Sequence, residues 1–238
     1  MRVSPEYGLS HDAWAGYTRF LASLITERRI RTALELGGGA NPALPLRLVQ
    51  RTGLRYTLLD VSEDELAKAP ADFEKIRADI TSRDFEPAGT YDLVFSRMLA
   101  EHVRSGHAFH GNVLKLLGEG GLAFHFFPTL FALPFVVNRI VPDAWSDRLL
   151  RMISPRDRVR HGKFPAYYSW CRGPTRGQIR RFEDLGYRVD AYKGFFGHDR
   201  YYARVPLLRD LHGLLSRSLV AHPVPWLTSF AYVLLSRR

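Results

Sequence analysis

The stretch TALELGGGANP, residues 32–42, constrains this chain more than any other. A short apolar run passes directly into three glycines, and a proline follows. Such a run reads as a buried strand ending in a tight turn, because glycine tolerates positive φ and close approach by another group. Pro42 suits the first turn of a helix, where a missing N–H costs nothing, so a helix is expected from Pro42 to about Gln50. A strand, a glycine turn and a helix in that order open a doubly wound α/β sheet. Ligands of such sheets sit beyond the carboxyl ends of the strands, where the strand order reverses.

The alternation continues. LRYTLLD (54–60) reads as a second strand, and Ser62 with Glu65 as a capping box that opens a helix. IRADI (76–80) ends a third strand and YDLVFS (91–96) is a fourth. Residues 107–117 form a helix stopped by Gly118, and GLAFHFF (121–127) is a fifth strand. Upstream, residues 11–29 place Trp14, Tyr17, Leu21, Leu24 and Ile25 at helical spacing, with Ser10 as N-cap. Residues 128–174 are rich in proline, arginine and aromatics and show no strand period, which predicts a partly helical insertion over the ligand edge. Alternation resumes with a helix at 175–185, a strand at 187–194, a helical excursion at about 205–218 and a last strand at 226–235. The expected fold is α/β, a doubly wound, mostly parallel Rossmann-like sheet of seven strands with a helical cap inserted after the fifth. Residues 1–127 carry the N-terminal helix and the ligand-binding half, 128–174 the cap, and 175–238 the remainder of the same sheet.

Dinucleotides and S-adenosylmethionine both bind at turns of this kind. A dinucleotide fingerprint requires glycine at its sixth position; counted from Gly37 that position is Pro42, which disfavours a nucleotide-dependent oxidoreductase. Glu35 lies inside the first strand, where a buried carboxylate is costly without partners. Asp60 ends the second strand 21 residues after Gly39, the distance at which an acid takes both ribose hydroxyls.

LELGGGANP (34–42) resembles motif I of class I S-adenosylmethionine-dependent methyltransferases, with Glu35, Gly37 and Gly39 at the signature positions. Asn41 stands where many members have a third glycine, and asparagine tolerates left-handed backbone angles. TLLDVSEDEL (57–66), RADIT (77–81), YDLVFSRMLAEHV (91–103) and LLGEGGLAFHFFP (116–128) are similar to the family's later motifs, in order. The resemblance implies that Gly37 and Gly39 shape the pocket beneath the cofactor, and that Glu35 organises the loop and the methionine amino group. It also implies that Asp60 holds the ribose, that Asp79 and Ile80 bind adenine, and that Ser96 and Arg97 lie near the sulfonium. A non-catalytic partner subunit that binds the same cofactor is the alternative.

A hydroxyl acceptor also needs a base, and His102 and His125 fall nearest the cofactor end. His107 and His110 have no carboxylate or cysteine to complete a metal set, so no metal is expected. In HGKFPAYYSWCRGPT (161–175), Tyr167, Tyr168 and Trp170 could wall a substrate pocket while Lys163 and Arg172 hold an anionic group; alternatively the aromatics staple the insertion to the sheet. The apolar segment 128–141, with Phe131, Leu133, Phe135 and Val136, could be a lid, a homodimer face or a membrane-surface patch.

Charge bears on the acceptor. Residues 1–138 hold 15 Lys and Arg against 16 Asp and Glu, whereas residues 139–238 hold 19 against 8 and supply the whole excess. Either this is a solvated arginine-rich surface, or it meets a phosphate- or carboxylate-bearing acceptor or an anionic lipid surface. Nucleic acid is not expected, since the charge is scattered and no finger or RNP-like pattern appears. The expected chemistry is O-methylation of a small-molecule, sugar or lipid-linked acceptor. The one cysteine, Cys171, suits a reducing cytoplasm, with peripheral contact at the inner membrane surface.

Overall fold

A computed structural model describes residues 3–130, 165–198 and 206–238. Among these, eight strands form one sheet: β1 (Glu6–Leu9), β2 (Thr32–Leu36), β3 (Arg55–Asp60), β4 (Glu74–Arg77), β5 (Tyr91–Arg97), β6 (Leu117–Pro128), β7 (Tyr187–Phe196) and β8 (Phe230–Arg237). Their spatial order is β1-β7-β8-β6-β5-β2-β3-β4. All neighbours run parallel except β8, which lies antiparallel between β6 and β7. The order therefore reverses between β2 and β5, and the glycine turn at the end of β2 stands at that switch.

The sheet exceeds the expected seven strands by one. Glu6–Leu9 pairs in parallel register with Lys193–Phe196 at the edge of the sheet, and four mostly half-exposed residues carry too little alternation to announce a strand. The third strand ends at Arg77 rather than Ile80, so Asp79 lies in a turn. The last strand starts at Phe230, behind a 3-10 turn at Pro225–Leu227.

Helices α1 (Ser10–Glu27), α2 (Leu46–Thr52), α3 (Glu63–Lys68), α4 (Gly106–Leu116), α5 (Arg176–Asp184) and α6 (Pro206–Ala221) connect the strands. Two starts differ from expectation. Leu9 occupies the N-cap position of α1 and Ser10 is already helical. The helix after the glycine turn begins at Leu46 behind Pro45, leaving residues 40–45 as loop. Half of the expected capping box on α3 is present: the Ser62 hydroxyl accepts the Glu65 N–H, while the Ser62 N–H goes to Asp60.

One face of the sheet buries Tyr17, Leu21, Leu24 and Ile25 of α1 against an aromatic layer of Phe124, Phe126 and Tyr232. Trp14 contacts Phe126 and Phe230 only edge-on and stays about half exposed. On α4, Phe109 and Val113 are fully buried; α5 buries Phe182 beside His110 and Trp170. Burying side chains of this size stabilises by about 1.5–3 kcal/mol each, so the two layers set the sheet that carries the switch. The described residues of the expected cap, 128–130 and 165–174, contain no helix, and 131–164 lie outside the described residues.

Candidate active site

Leu36, the last residue of β2, pairs with Leu59 of β3 and Ser96 of β5, so the three strands end level with one another. Gly37 follows with φ 70° and donates its N–H to the Leu59 carbonyl at 2.8 Å. A Cβ on Gly37 would combine this left-handed backbone with a 3.0 Å contact to Leu99. On Gly39 it would come within 2.9 Å of the Glu65 Cβ and 3.0 Å of Asp60 Oδ2. The glycines thus keep open a cradle between the ends of β2 and β3.

Glu35 lies beneath the cradle, buried. Its Oε2 accepts the Ala43 N–H at 2.9 Å and the Tyr56 hydroxyl. The Ala43 N–H is available because the helix begins three residues later than Ala43. Burial pushes the carboxyl up to about 7, and the bonds from Tyr56 and Ala43 and the charge of Arg97 pull it back. Arg97 lies over the Tyr17 ring and donates to the Asn41 carbonyl at 3.1 Å. Glu35 and Arg97 therefore pin the 37–45 loop from two sides.

Asp60 ends β3 half-buried; Oδ1 accepts the Ser62 N–H at 3.0 Å, and Oδ2 lies beside Gly39. Asp79 is exposed and closes a small turn, its Oδ1 accepting the N–H and hydroxyl of Thr81 at 2.8 and 2.7 Å. Ile80 is buried behind it. Asn112 of α4, which no sequence signal marked, donates to the carbonyls of Ile80 and Ser82 at 2.9 and 2.8 Å and fastens this turn to the fold. A cavity of about 330 Å³ borders Asp79, Ser82 and Phe85 but does not reach the glycine turn.

At the end of β5 the structure redistributes the expected roles. Ser96 is fully buried, and its hydroxyl lies 2.8 Å from His125 Nδ1. His125 has no exposure and packs against Phe109 and His110; burial lowers its pKa to about 3. A base must reach its acceptor and return the proton to water, and the structure places His125 in the core, away from water. The Ser96 side chain likewise points to that core histidine, and only its backbone belongs to the strand end. His107 and His110 both lie against Trp170, His107 edge-on and the buried His110 stacked.

Beyond β5, Met98 takes φ 56°, an uncommon angle for a side-chain-bearing residue, and turns the chain into a 3-10 segment at Ala100–His102. His102 is partly exposed, and its Nδ1 donates to the Pro165 carbonyl at 3.0 Å. With Nδ1 carrying the proton, Nε2 is the basic nitrogen, 3.7 Å from Glu101 Oε1. Glu101 is a second group not anticipated. It is buried, its Oε2 has no hydrogen-bond partner among the described residues, and burial pushes its carboxyl up to about 8.

The Glu101 carbonyl accepts the N–H groups of Tyr167 and Tyr168, at 2.7 and 3.0 Å, and so draws the 165–172 segment onto this edge. The Tyr167 hydroxyl accepts from Arg104 at 3.0 Å. Tyr168 is buried, and Trp170 sits against Gly106, where a Cβ would lie 2.5 Å from its Cγ. Arg172 donates to the Tyr168 and Cys171 carbonyls at 2.8 and 3.1 Å, stitching its own turn. Lys163 lies outside the described residues.

One edge therefore presents two carboxylates around a glycine cradle, with a histidine and an aromatic segment beyond β5. A model of the family described as "Methyltransferase domain" matches residues 10–193. No curated protein matches. Among solved structures, an S-adenosylmethionine-dependent methyltransferase from Clostridium acetobutylicum ATCC 824 is similar at 11% identity, over 94% of this chain and 92% of its own, with a TM-score of 0.57. Coclaurine N-methyltransferase bound to N-methylheliamine and S-adenosylhomocysteine is similar at 17% identity, over 92% and 72%, with a TM-score of 0.54. Geranyl diphosphate C-methyltransferase from Streptomyces coelicolor A3(2) is similar at 11% identity, over 96% and 80%, with a TM-score of 0.55. At these identities the likeness is one of fold.

Proposed function

The chain belongs to the methyltransferase-domain family, and from that premise we propose that it carries out S-adenosylmethionine-dependent O-methylation of a small-molecule, sugar or lipid-linked acceptor that carries an anionic group. The observation that carries the cofactor assignment is the pair Glu35 and Asp60 around the Gly37–Gly39 cradle at the switch point. The cradle would be filled by any Cβ, which fits a ligand that lies against the backbone. The donor set fits as well: carboxylates suit ribose hydroxyls and a cationic amino group. Asp60 would hold the ribose, Asp79 and Ile80 the adenine, Glu35 the loop and the amino group, and the ends of β5 at Ser96 and Arg97 the reactive end.

S-adenosylmethionine supplies a methyl group already activated on a sulfonium. The chain's own residues then have to orient an acceptor, exclude water and take one proton. His102 is the proposed base. Its Nδ1–H is fixed by Pro165, and its Nε2 has Glu101 beside it. Tyr167, Tyr168 and Arg172 form the acceptor wall, and the basic residues after position 138 favour an acceptor that carries phosphate or carboxylate.

Isothermal titration with S-adenosylmethionine, S-adenosylhomocysteine and NAD tests the cofactor. The first two should bind and NAD should not; binding of NAD alone overturns the reading. Asp60→Ala should raise the cofactor Kd roughly 30- to 1000-fold, from lost charge-assisted bonds of about 1.5–3 kcal/mol each that do not fully add. Its melting temperature without cofactor should match wild type.

A further inference from the structure

Helices α1 and α2 end in the same turn with different residues at its critical position. After α2, Gly53 takes φ 63°; its N–H reaches the Gln50 carbonyl at 3.3 Å, and that of Leu54 reaches Val49 at 3.2 Å. After α1, Arg29 takes φ 53°; its N–H reaches the Thr26 carbonyl at 3.3 Å, and that of Ile30 reaches Ile25 at 3.0 Å. Glycine accepts this left-handed position without strain, whereas an arginine there costs stability. The turn itself gains nothing from the arginine side chain.

The two turns lie side by side, since the Arg55 N–H behind one donates to the Arg31 carbonyl behind the other at 2.8 Å. A cleft of about 570 Å³ opens there, lined by Arg29, Arg31 and Arg51 beside the buried Ile25 and Ile30. All three arginines are exposed, and none has an ion-pair partner among the described residues. The cleft lies at the amino ends of β2 and β3, which start at Thr32 and Arg55. The glycine cradle lies beyond their carboxyl ends, roughly 16 Å away along the strands.

We infer that this cleft binds a small ligand carrying two linked phosphate groups, at a site separate from the methyl-transfer edge. The planar guanidinium fork matches phosphate oxygens bidentately, and three forks around one opening suit more than one phosphate. The local charge agrees. Residues 27–31 and 46–55 hold six arginines and one carboxylate, Glu27. Glu74 takes Arg55 at 3.3 Å, and the half-buried Asp92 accepts the Arg31 and Thr32 N–H groups at 2.8 and 2.9 Å. The carbonyl ends of α1 and α2 add roughly half a negative charge each. Arginines 28, 29, 31, 47 and 51 still outweigh Glu27, Asp92 and both helix ends by about two charges. The inference rests on this cleft and not on the function proposed above.

Isothermal titration of the full chain with inorganic pyrophosphate and with inorganic phosphate tests it. Pyrophosphate should bind more tightly than phosphate, and more weakly as salt rises. Arg51→Gln and Arg29→Gly should each raise the pyrophosphate Kd roughly three- to tenfold, as expected for charge-assisted bonds that stay in contact with water. Arg29→Gly should melt no lower than wild type, because glycine accepts φ 53°. Arg51→Lys, which keeps the charge and loses the fork, should show an intermediate loss. Arg19→Gln, at an exposed position of α1 outside the cleft, should leave the Kd unchanged. Absence of pyrophosphate binding, or a Kd unchanged in both Arg51→Gln and Arg29→Gly, overturns the inference and leaves the arginines as partners of the helix ends. Binding of a single-stranded RNA oligonucleotide that both substitutions weaken and pyrophosphate does not displace also overturns it, and assigns the cleft to nucleic acid. Titration with S-adenosylmethionine should be unaltered in every variant, so failure of this site and failure of the methyltransferase reading are separately visible.

Discussion

Replacing Glu35 by glutamine should separate stability from cofactor affinity. Burial holds the native carboxyl at about 7 against an ordinary 4.5, so the folded chain binds more protons than the unfolded chain between those values. Stability contributed by this group is therefore present below about pH 4.5 and declines as pH rises toward 7. The upward shift corresponds to roughly 3 kcal/mol against the ionised form above that range. Glutamine removes the charge, keeps one oxygen for Ala43 or Tyr56, and sacrifices about 0.5–1.5 kcal/mol of hydrogen bonding. At about pH 8 the variant should melt no lower than wild type. Its affinity should move the other way, because a cationic amino group needs the carboxylate. A lost charge-assisted bond of about 1.5–3 kcal/mol raises Kd roughly 10- to 150-fold. Wild-type Kd should also rise below about pH 7, by up to roughly tenfold per pH unit, with a proton released on binding. Titration calorimetry in two buffers of different ionisation enthalpy, beside thermal melts, reads all three quantities. A pH-independent wild-type Kd together with an unchanged variant Kd would refute the reasoning and leave Glu35 as a loop anchor only.

Three further outcomes follow from the same physics. Glu101, raised to about 8 by burial, should lower stability as pH rises from about 4.5 to 8; Glu101→Gln should abolish that decline and melt higher than wild type at about pH 9, by an amount on the order of a few kcal/mol. Asn112→Ala leaves the Ile80 and Ser82 carbonyls without their donor, so unfolding in urea should show a loss of about 1–3 kcal/mol, and adenosine should bind more weakly. If His102 is the base, His102→Gln should lower kcat and remove the acidic limb of its pH profile while cofactor Kd stays unchanged; an unaltered profile assigns the proton to another group.

The sheet and the glycine cradle were legible because their signals are local. Strand alternation, the Gly37–Gly39 turn, the Ser62–Glu65 cap and the carboxylates at strand ends are written within a few residues of one another. Boundaries that depend on which partner a backbone group finds were read less well. Pro42 fits the start of a helix, yet the chain waits until Leu46, and the free Ala43 N–H goes to Glu35 instead. The first strand, Glu6–Leu9, exists because β7 offers it an edge, and its own four residues announce nothing.

Chain position placed both His102 and His125 nearest the expected cofactor end. Only packing separated them: α4 covers His125 with Phe109 and His110, while the 3-10 turn leaves His102 at the surface. Glu101 and Asn112 became visible for the same reason. Desolvation and long-range hydrogen bonds, such as those across the 30 and 32 residues between Asn112 and its two carbonyls, are properties of the assembled layers. The outward leucines of α6 make the point in reverse. Their spacing reads as a helical excursion, and in the tertiary structure the leucines are exposed while His212 accepts the His198 N–H just past the end of β7. Periodicity fixes which residues share a face, since that is a property of helix geometry alone; which way the face points depends on what the rest of the chain brings to meet it.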